Sequence, residues 1–200
     1  MKLQIGAILF LIPFILFGSS SKEELHEQLV KQFVNYKGIS IQFSNDNFNG
    51  KGTILATKGN KYSITFPGRK LLCDGENIWN VDDKKKNVVI SIAKQNKNQF
   101  SIDAVFFSIL VNYKPISLTS GGSLNKSTLL VLQPKNESSM EQGVSKITLE
   151  LKNNKIIGII IQSNGQDDYF KIFNIKEKAL LVSDYTYQPS NTYTVVDLRK

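Results

Sequence analysis

Between Gly52 and Asp83 the chain alternates apolar and polar residues in short runs, and turn pairs separate the runs. Side chains on a strand point to opposite faces in turn, so this alternation predicts antiparallel strands with one apolar and one wet face. The runs predict strands over 39–44, 50–58, 61–67, 70–73, 77–82 and 87–93. Gly59-Asn60, Pro67-Gly68, Asp74-Gly75 and the stretch from Asp82 to Lys86 supply the turns. A Gly-Asn pair suits a two-residue hairpin because glycine tolerates positive φ. These strands read as a meander, each linked to its neighbour in sequence.

Two stretches change period. Leu25, Leu29, Phe33 and Tyr36 recur at helical spacing, with Glu23, Glu24, Glu27 and Lys31 on the other face, so a helix is expected over 22–36. Ile102, Val105, Phe106, Ile109 and Leu110 repeat the spacing over 101–111, with Ser101 as N-cap and Pro115 as the stop. Phe107 and Val111 widen that second helix's apolar surface beyond one stripe. A helix so apolar has to lie against a large apolar surface or meet a ligand. Strands resume over 126–133, 144–152, 155–163 and 167–175, with turns at Asn153-Asn154 and Asn164-Gly165. The tail is again strand-like over 180–186 and 193–196.

The fold class expected is α+β, mainly β: an incomplete antiparallel β-barrel, a strongly curved sheet whose concave apolar face is lidded by helices. A sheet of this many strands curls. Two modest helices cover its hollow only in part, which leaves a cavity where small-molecule sites form.

The first twenty residues stand apart. Lys2, the apolar run from Leu3 to Phe17 and the small residues Gly18-Ser19-Ser20 read as a cleaved secretory signal, too short to span a bilayer comfortably. Residues 1–20 are therefore a leader and 21–200 a single domain. No cysteine adjoins the cleavage point, so no lipid anchor is expected there. Export without disulfides suits a Gram-negative periplasm, since Cys73 is the only cysteine. The net charge of +8 comes from scattered lysines, of which Lys84-Lys85-Lys86 in a hairpin turn is the densest run. That run reads as a solvated turn, and export argues further against a nucleic-acid partner.

Catalytic chemistry finds few parts. The one histidine, His26, is expected on the exposed, charged face of the first helix. Asp82-Asp83 and Asp167-Asp168 fall in or beside turns, where solvated aspartates are routine. No glycine-rich phosphate loop and no metal-ligand spacing is present. The chain is expected not to be an enzyme, to need no cofactor and no metal, and to be a monomer.

With these blocks in place the sequence resembles the LolA-type carriers of outer-membrane lipoproteins. The resemblance rests on the leader, the first helix and Phe43 in Ile-Gln-Phe-Ser. It continues through Gly52-x-Ile54-x-x-x-Lys58-x-Asn60-x-Tyr62, Cys73-Asp74-Gly75-x-x-x-Trp79-x-x-Asp82, the apolar helix around Phe106, and Gln166-Asp167-Asp168. It implies a soluble periplasmic carrier that takes acylated lipoproteins from an inner-membrane ABC-type exporter to an outer-membrane acceptor. Lys58 aligns with a family arginine that ties a strand turn to the lid. Lysine lacks arginine's planar fork of donors, so the tie is expected to be weaker or differently placed.

The residues expected to wall the acyl-chain cavity are Phe43, Leu55, Tyr62, Ile64, Trp79 and Val89. The lid is expected to be Phe106, Phe107, Ile109 and Leu110, with Lys58 controlling it. A one-residue error in strand facing would exchange neighbours between cavity and exterior. The alternative function is a lipid- or protein-sensing signalling module of the envelope on the same half-barrel.

Overall fold

The computed structural model describes residues 21–199 apart from 46–47, 94–104, 122–126, 138–139 and 141–142, and it leaves aside the side chains of residues 48, 49, 105 and 109. The predicted leader and the predicted N-cap Ser101 lie outside the described residues.

Helix α1 (Lys22–Val34) opens the fold. Its start is fixed locally by a capping box: the Ser21 hydroxyl accepts from the Glu24 amide at 3.1 Å, and the Glu24 carboxylate accepts from the Ser21 amide at 3.1 Å. Six strands follow: β1 (Gly38–Asn45), β2 (Phe48–Thr57), β3 (Lys61–Phe66), β4 (Arg69–Asp74), β5 (Asn77–Asp82) and β6 (Asn87–Ile92). The turns between them use the left-handed backbone that their residues favour, with φ of 85° at Gly59 and 57° at Asn60.

The second helical element, α2, is a π turn (Val105–Ile109) continued by one α turn (Leu110–Asn112). It is described for eight residues rather than as the full helix expected over 101–111. Next comes β7 (Tyr113–Ser120), a strand that the sequence did not suggest. Pro115 reads as a helix stop, yet it sits in this strand on the sheet's outermost position, where a missing amide costs least. Strands β8 (Thr128–Pro134), β9 (Val144–Lys152), β10 (Lys155–Ser163) and β11 (Gln166–Glu177) complete the second half. The expected strand at 180–186 is instead irregular, with a 3-10 turn at Val182–Asp184; β12 (Thr194–Asp197) follows.

Among the described residues the strands form one open, strongly curved twelve-stranded sheet in the order β12-β6-β5-β4-β3-β2-β1-β11-β10-β9-β8-β7. It is an incomplete barrel. β1 is central, because it pairs with β2 on one side and with β11 on the other. That long-range pairing joins the two meanders. β12 runs parallel to β6, the one departure from the antiparallel pattern described.

Register fixes the faces. Ile54, Ile64, Leu71, Asn80 and Val89 form one row across β2–β6, and Ala56, Tyr62, Cys73, Ile78 and Ser91 another. Both rows lie on the inner face, with Ile39, Ile41 and Phe43 of β1 beside them. The row between, Leu55, Ser63, Leu72, Trp79 and Ile90, points outward. The main core fills the inner face and takes in Leu25, Leu29 and Phe33 of α1 and Phe106 and Leu110 of α2. A second cluster of Leu72, Trp79, Val81, Val88 and Ile90 lies on the outer face under Tyr187 and Tyr193 of the tail.

Candidate functional site

The concave face is the candidate site. Phe43 anchors its floor. Its ring lies across β2 opposite Gly52, and a Cβ at Gly52 would fall 2.7 Å from that ring, so only glycine leaves the room. Phe66 meets the ring nearly edge-on at 5.4 Å, and Phe170 lies 6.0 Å away.

Helices α1 and α2 together make the cover. Phe33 and Phe106 contact edge-to-face at 4.8 Å. Phe106 and Leu110 are fully buried, and Phe107 is half-buried against the same core. The side chain of Ile109 lies outside the described residues. The predicted lid residues Phe106, Phe107 and Leu110 therefore share one apolar cluster with Phe43, Tyr62 and Ile64. The cluster also takes in Leu25, Leu29 and Phe33 of α1, the other helix expected to cover the hollow, on which no lid residue was named.

Two of the predicted wall residues face the other way. Leu55 and Trp79 belong to the outward row, and Trp79 packs under the C-terminal tail rather than against α2. Ile54 and Leu55 are adjacent apolar residues, so alternation alone leaves β2's facing open. Val89 does share the inner face, but at its far end beside exposed Asn80, away from the helices.

Polar ties hold the cover. Each helix's C-terminal carbonyls receive a lysine ammonium from the sheet. Lys58, in the β2–β3 turn, donates to the Val34 carbonyl of α1 at 2.8 Å, and Lys135, after β8, donates to the Val111 carbonyl of α2 at 2.7 Å. Terminal carbonyls lack helical partners and carry the negative end of the helix dipole, so a cation suits them. The Lys58 tie thus reaches α1, not the apolar helix that the lid was expected to be. At the other end of α1, Lys22 donates to the Ile116 carbonyl of β7 at 3.1 Å.

His26 corrects another expectation. It is 9% exposed, not on the wet face, and its Nε2 lies 2.9 Å from the Leu110 carbonyl of α2. With Val30 it borders the Leu25–Leu29–Phe33 stripe, and a wider reading of the helix would have placed it inside. Burial pushes its pKa below the ordinary 6.5, and Lys135 nearby adds to this; the bond to Leu110 and the charge of Glu27 oppose it. A carbonyl only accepts, so Nε2 carries the hydrogen in the link between the two helices, while burial favours the ring's neutral form.

Two clefts flank α1. The larger, of about 520 Å³, opens between α1 and the sheet where β10 and β11 part. Their last rung joins Gly158 to Lys171; beyond it β10 pairs only with β9, and β11 only with β1. Leu29, Phe33, Ile156 and Ile172 give the cleft an apolar floor, and Gln32, Asn153, Asn154 and Lys155 a polar rim. The smaller cleft, of about 360 Å³, lies between α1, α2 and β7, beside His26, Val30 and Val111. Volumes of this size fall in the range of small-molecule sites. The hollow itself is filled in this closed form by the helices' own side chains.

Among the described residues no group of three His, Cys, Asp or Glu side chains could hold a metal ion, and no helix is long and apolar enough to cross a membrane.

No protein-family model and no curated protein sequence matches the chain. Solved structures do. An uncharacterized conserved protein from Thermus thermophilus is 13% identical, with a TM-score of 0.52 over 86% of this chain and 98% of that one. LprF from Mycobacterium bovis is 9% identical, with a TM-score of 0.43 over 88% of this chain and all (100%) of that one. The Thermus thermophilus likeness establishes a shared fold and carries nothing about function, since one fold hosts many activities. The LprF superposition is too loose to add to it.

Proposed function

We propose that the protein is a periplasmic carrier that shelters the acyl chains of lipoproteins on the concave face of its sheet. The observation that carries this reading is the cover itself. The inner face of an open sheet is closed by two helices held through side-chain ties, with a 520 Å³ cleft already open beside one of them. Acyl chains would replace the apolar contacts that Leu29, Phe33, Phe106 and Leu110 now make. Burial of a chain is worth about 0.8 kcal/mol per methylene, so one long chain supplies gross drive comparable to the cost of lifting a helix. Exchange of like contacts keeps the net affinity modest, and cargo can be released. In this reading an inner-membrane ABC-type exporter loads the carrier, an outer-membrane acceptor unloads it, and no residue performs catalysis.

The test is capture. Purified protein mixed with a triacylated lipoprotein should yield a soluble one-to-one complex, and the same lipoprotein lacking its acyl chains should yield none. Continued aggregation of the acylated form, or equal capture of both, would overturn the proposal.

A further inference from the structure

Beside the larger cleft, on the outer face, a large aromatic ring stands in water. Phe173 is 44% exposed and is one of the residues lining that cleft. It is there because of a β-bulge. Gln42 pairs with Asn174 and Phe43 with Ile172, so Phe173 is the unpaired extra residue of β11. A bulge re-aims the side chain it displaces. Two ammonium groups flank the ring: Lys51 Nζ lies 4.9 Å from its centroid and Lys171 Nζ 5.7 Å.

Neither lysine has an acidic partner within ion-pair distance among the described residues. Exposed Lys152 and Lys155 face each other at the end of the β9–β10 hairpin that rims the same cleft. Across the sheet from Lys171, Gly158 intervenes before the next carboxylate, Glu150. That carboxylate is buried and accepts from Ser127 and Tyr169. The other lysine-rich place differs. Around the β5–β6 turn Arg69 pairs with Asp82 and Lys70 with Asp83, so positive charge there is offset in part, and the ring beside Lys86, Tyr193, is half-buried rather than exposed.

We infer that this outer surface docks on an anionic phospholipid bilayer, with Phe173 entering the headgroup layer and Lys51 and Lys171 meeting the phosphates. An exposed apolar ring flanked by lysines is the chemistry that an interface selects. Phe173 also lines the larger cleft, so the docked surface adjoins that cleft. The inference extends the carrier reading, but its test needs no cargo.

The experiment is flotation of protein recovered from the periplasm of a bacterial host, with vesicles of phosphatidylcholine with or without phosphatidylglycerol. The expected result is binding only when phosphatidylglycerol is present. Each lysine near an anionic surface is worth roughly a fivefold gain in affinity, so the double variant K51Q/K171Q should lose about thirtyfold. Phe173→Ser should lose severalfold. The variant K84Q/K85Q removes the same charge elsewhere and should lose little. Equal losses in both double variants, indifference to phosphatidylglycerol, or an unaffected Phe173→Ser would overturn the inference. Lipoprotein capture in vesicle-free solution separates the two readings. A protein that floats but captures nothing sinks the carrier role alone, and one that captures but ignores vesicles sinks the docking alone.

Discussion

On the inner face, α1 rests on its surroundings through side chains: Phe33 against Phe106, His26 on the Leu110 carbonyl, Lys58 on the Val34 carbonyl. α2 has a backbone tie as well, its Asn112 carbonyl accepting from the Lys135 amide at 3.1 Å. Among the described residues α1 makes no backbone hydrogen bond to another element. On the outer face of β4–β6 the tail is sewn down differently. β12 joins the ladder beside β6, with Thr194 donating to the Lys86 carbonyl and Leu198 to the Ile90 carbonyl, both at 2.8 Å. Tyr193 donates to Asp83 at 2.7 Å, and Lys86 lies 5.0 Å from its ring. Both covers bury apolar clusters. In the carrier reading this difference makes α1 the part expected to lift first while the sheet stays whole, as regional stability differences in proteins allow.

The contrast breaks most visibly at the aromatic anchors. Phe106→Ala and Trp79→Ala should each cost about 3–5 kcal/mol by urea denaturation. Hydrogen exchange should separate them: Phe106→Ala should expose the amides of α1 and α2, and Trp79→Ala those of β12. Identical maps for the two variants would mean that the covers open together.

Acid should act in two steps. Buried His26 resists charging, so an opened form takes up its proton near the ordinary 6.5 while the closed form waits for lower pH. Stability of the helical cover is therefore full above that value and declines as pH falls below it. Lys135 also disfavours the charged ring and Glu27 favours it; Lys31 and Lys114 line the same smaller cleft. The tail depends on carboxylates instead. Tyr193 and then Lys70 hold Asp83 below its usual range, so its contribution persists until pH falls below the ordinary 3.8. Protection of the α1 and α2 amides, referred to the intrinsic exchange rate at each pH, should fall between about pH 7.5 and about pH 5.5, with that of β12 unchanged, and His26→Gln should remove that step.

The smallest effect sharpens the picture. Lys58→Gln removes a cation from α1's C-terminus and should cost about 0.5 kcal/mol, read as faster exchange in the last turn of α1. No change there would show that the tie is idle in the closed form.

Most strands were legible. β3, β5 and β6 fall within a residue of their expected limits because alternation and turn pairs are local signals. The cover was legible in part. Phe106 and Leu110 announced themselves by apolar excess, and α1 was expected to share the cover, yet no lid residue was named on it because its charged half reads as an ordinary surface helix. β7 was missed because Pro115 carries two opposite meanings, helix stop and edge-strand residue, and only the sheet order chooses between them. Leu55 and Trp79 were assigned to the wrong face because both faces of this sheet are covered, so apolarity does not mark the inner one.

By itself the sequence determined the elements that neighbours in the chain can fix: the capping box at Ser21, the hairpin turns, the strand periods and the apolar excess around Phe106. The tertiary structure alone decided which side of each strand faces the hollow, that β1 joins β11, that the tail straps β6, and that Lys58 and His26 fasten α1. Those outcomes depend on pairings between residues distant along the chain, whose energies no local pattern encodes.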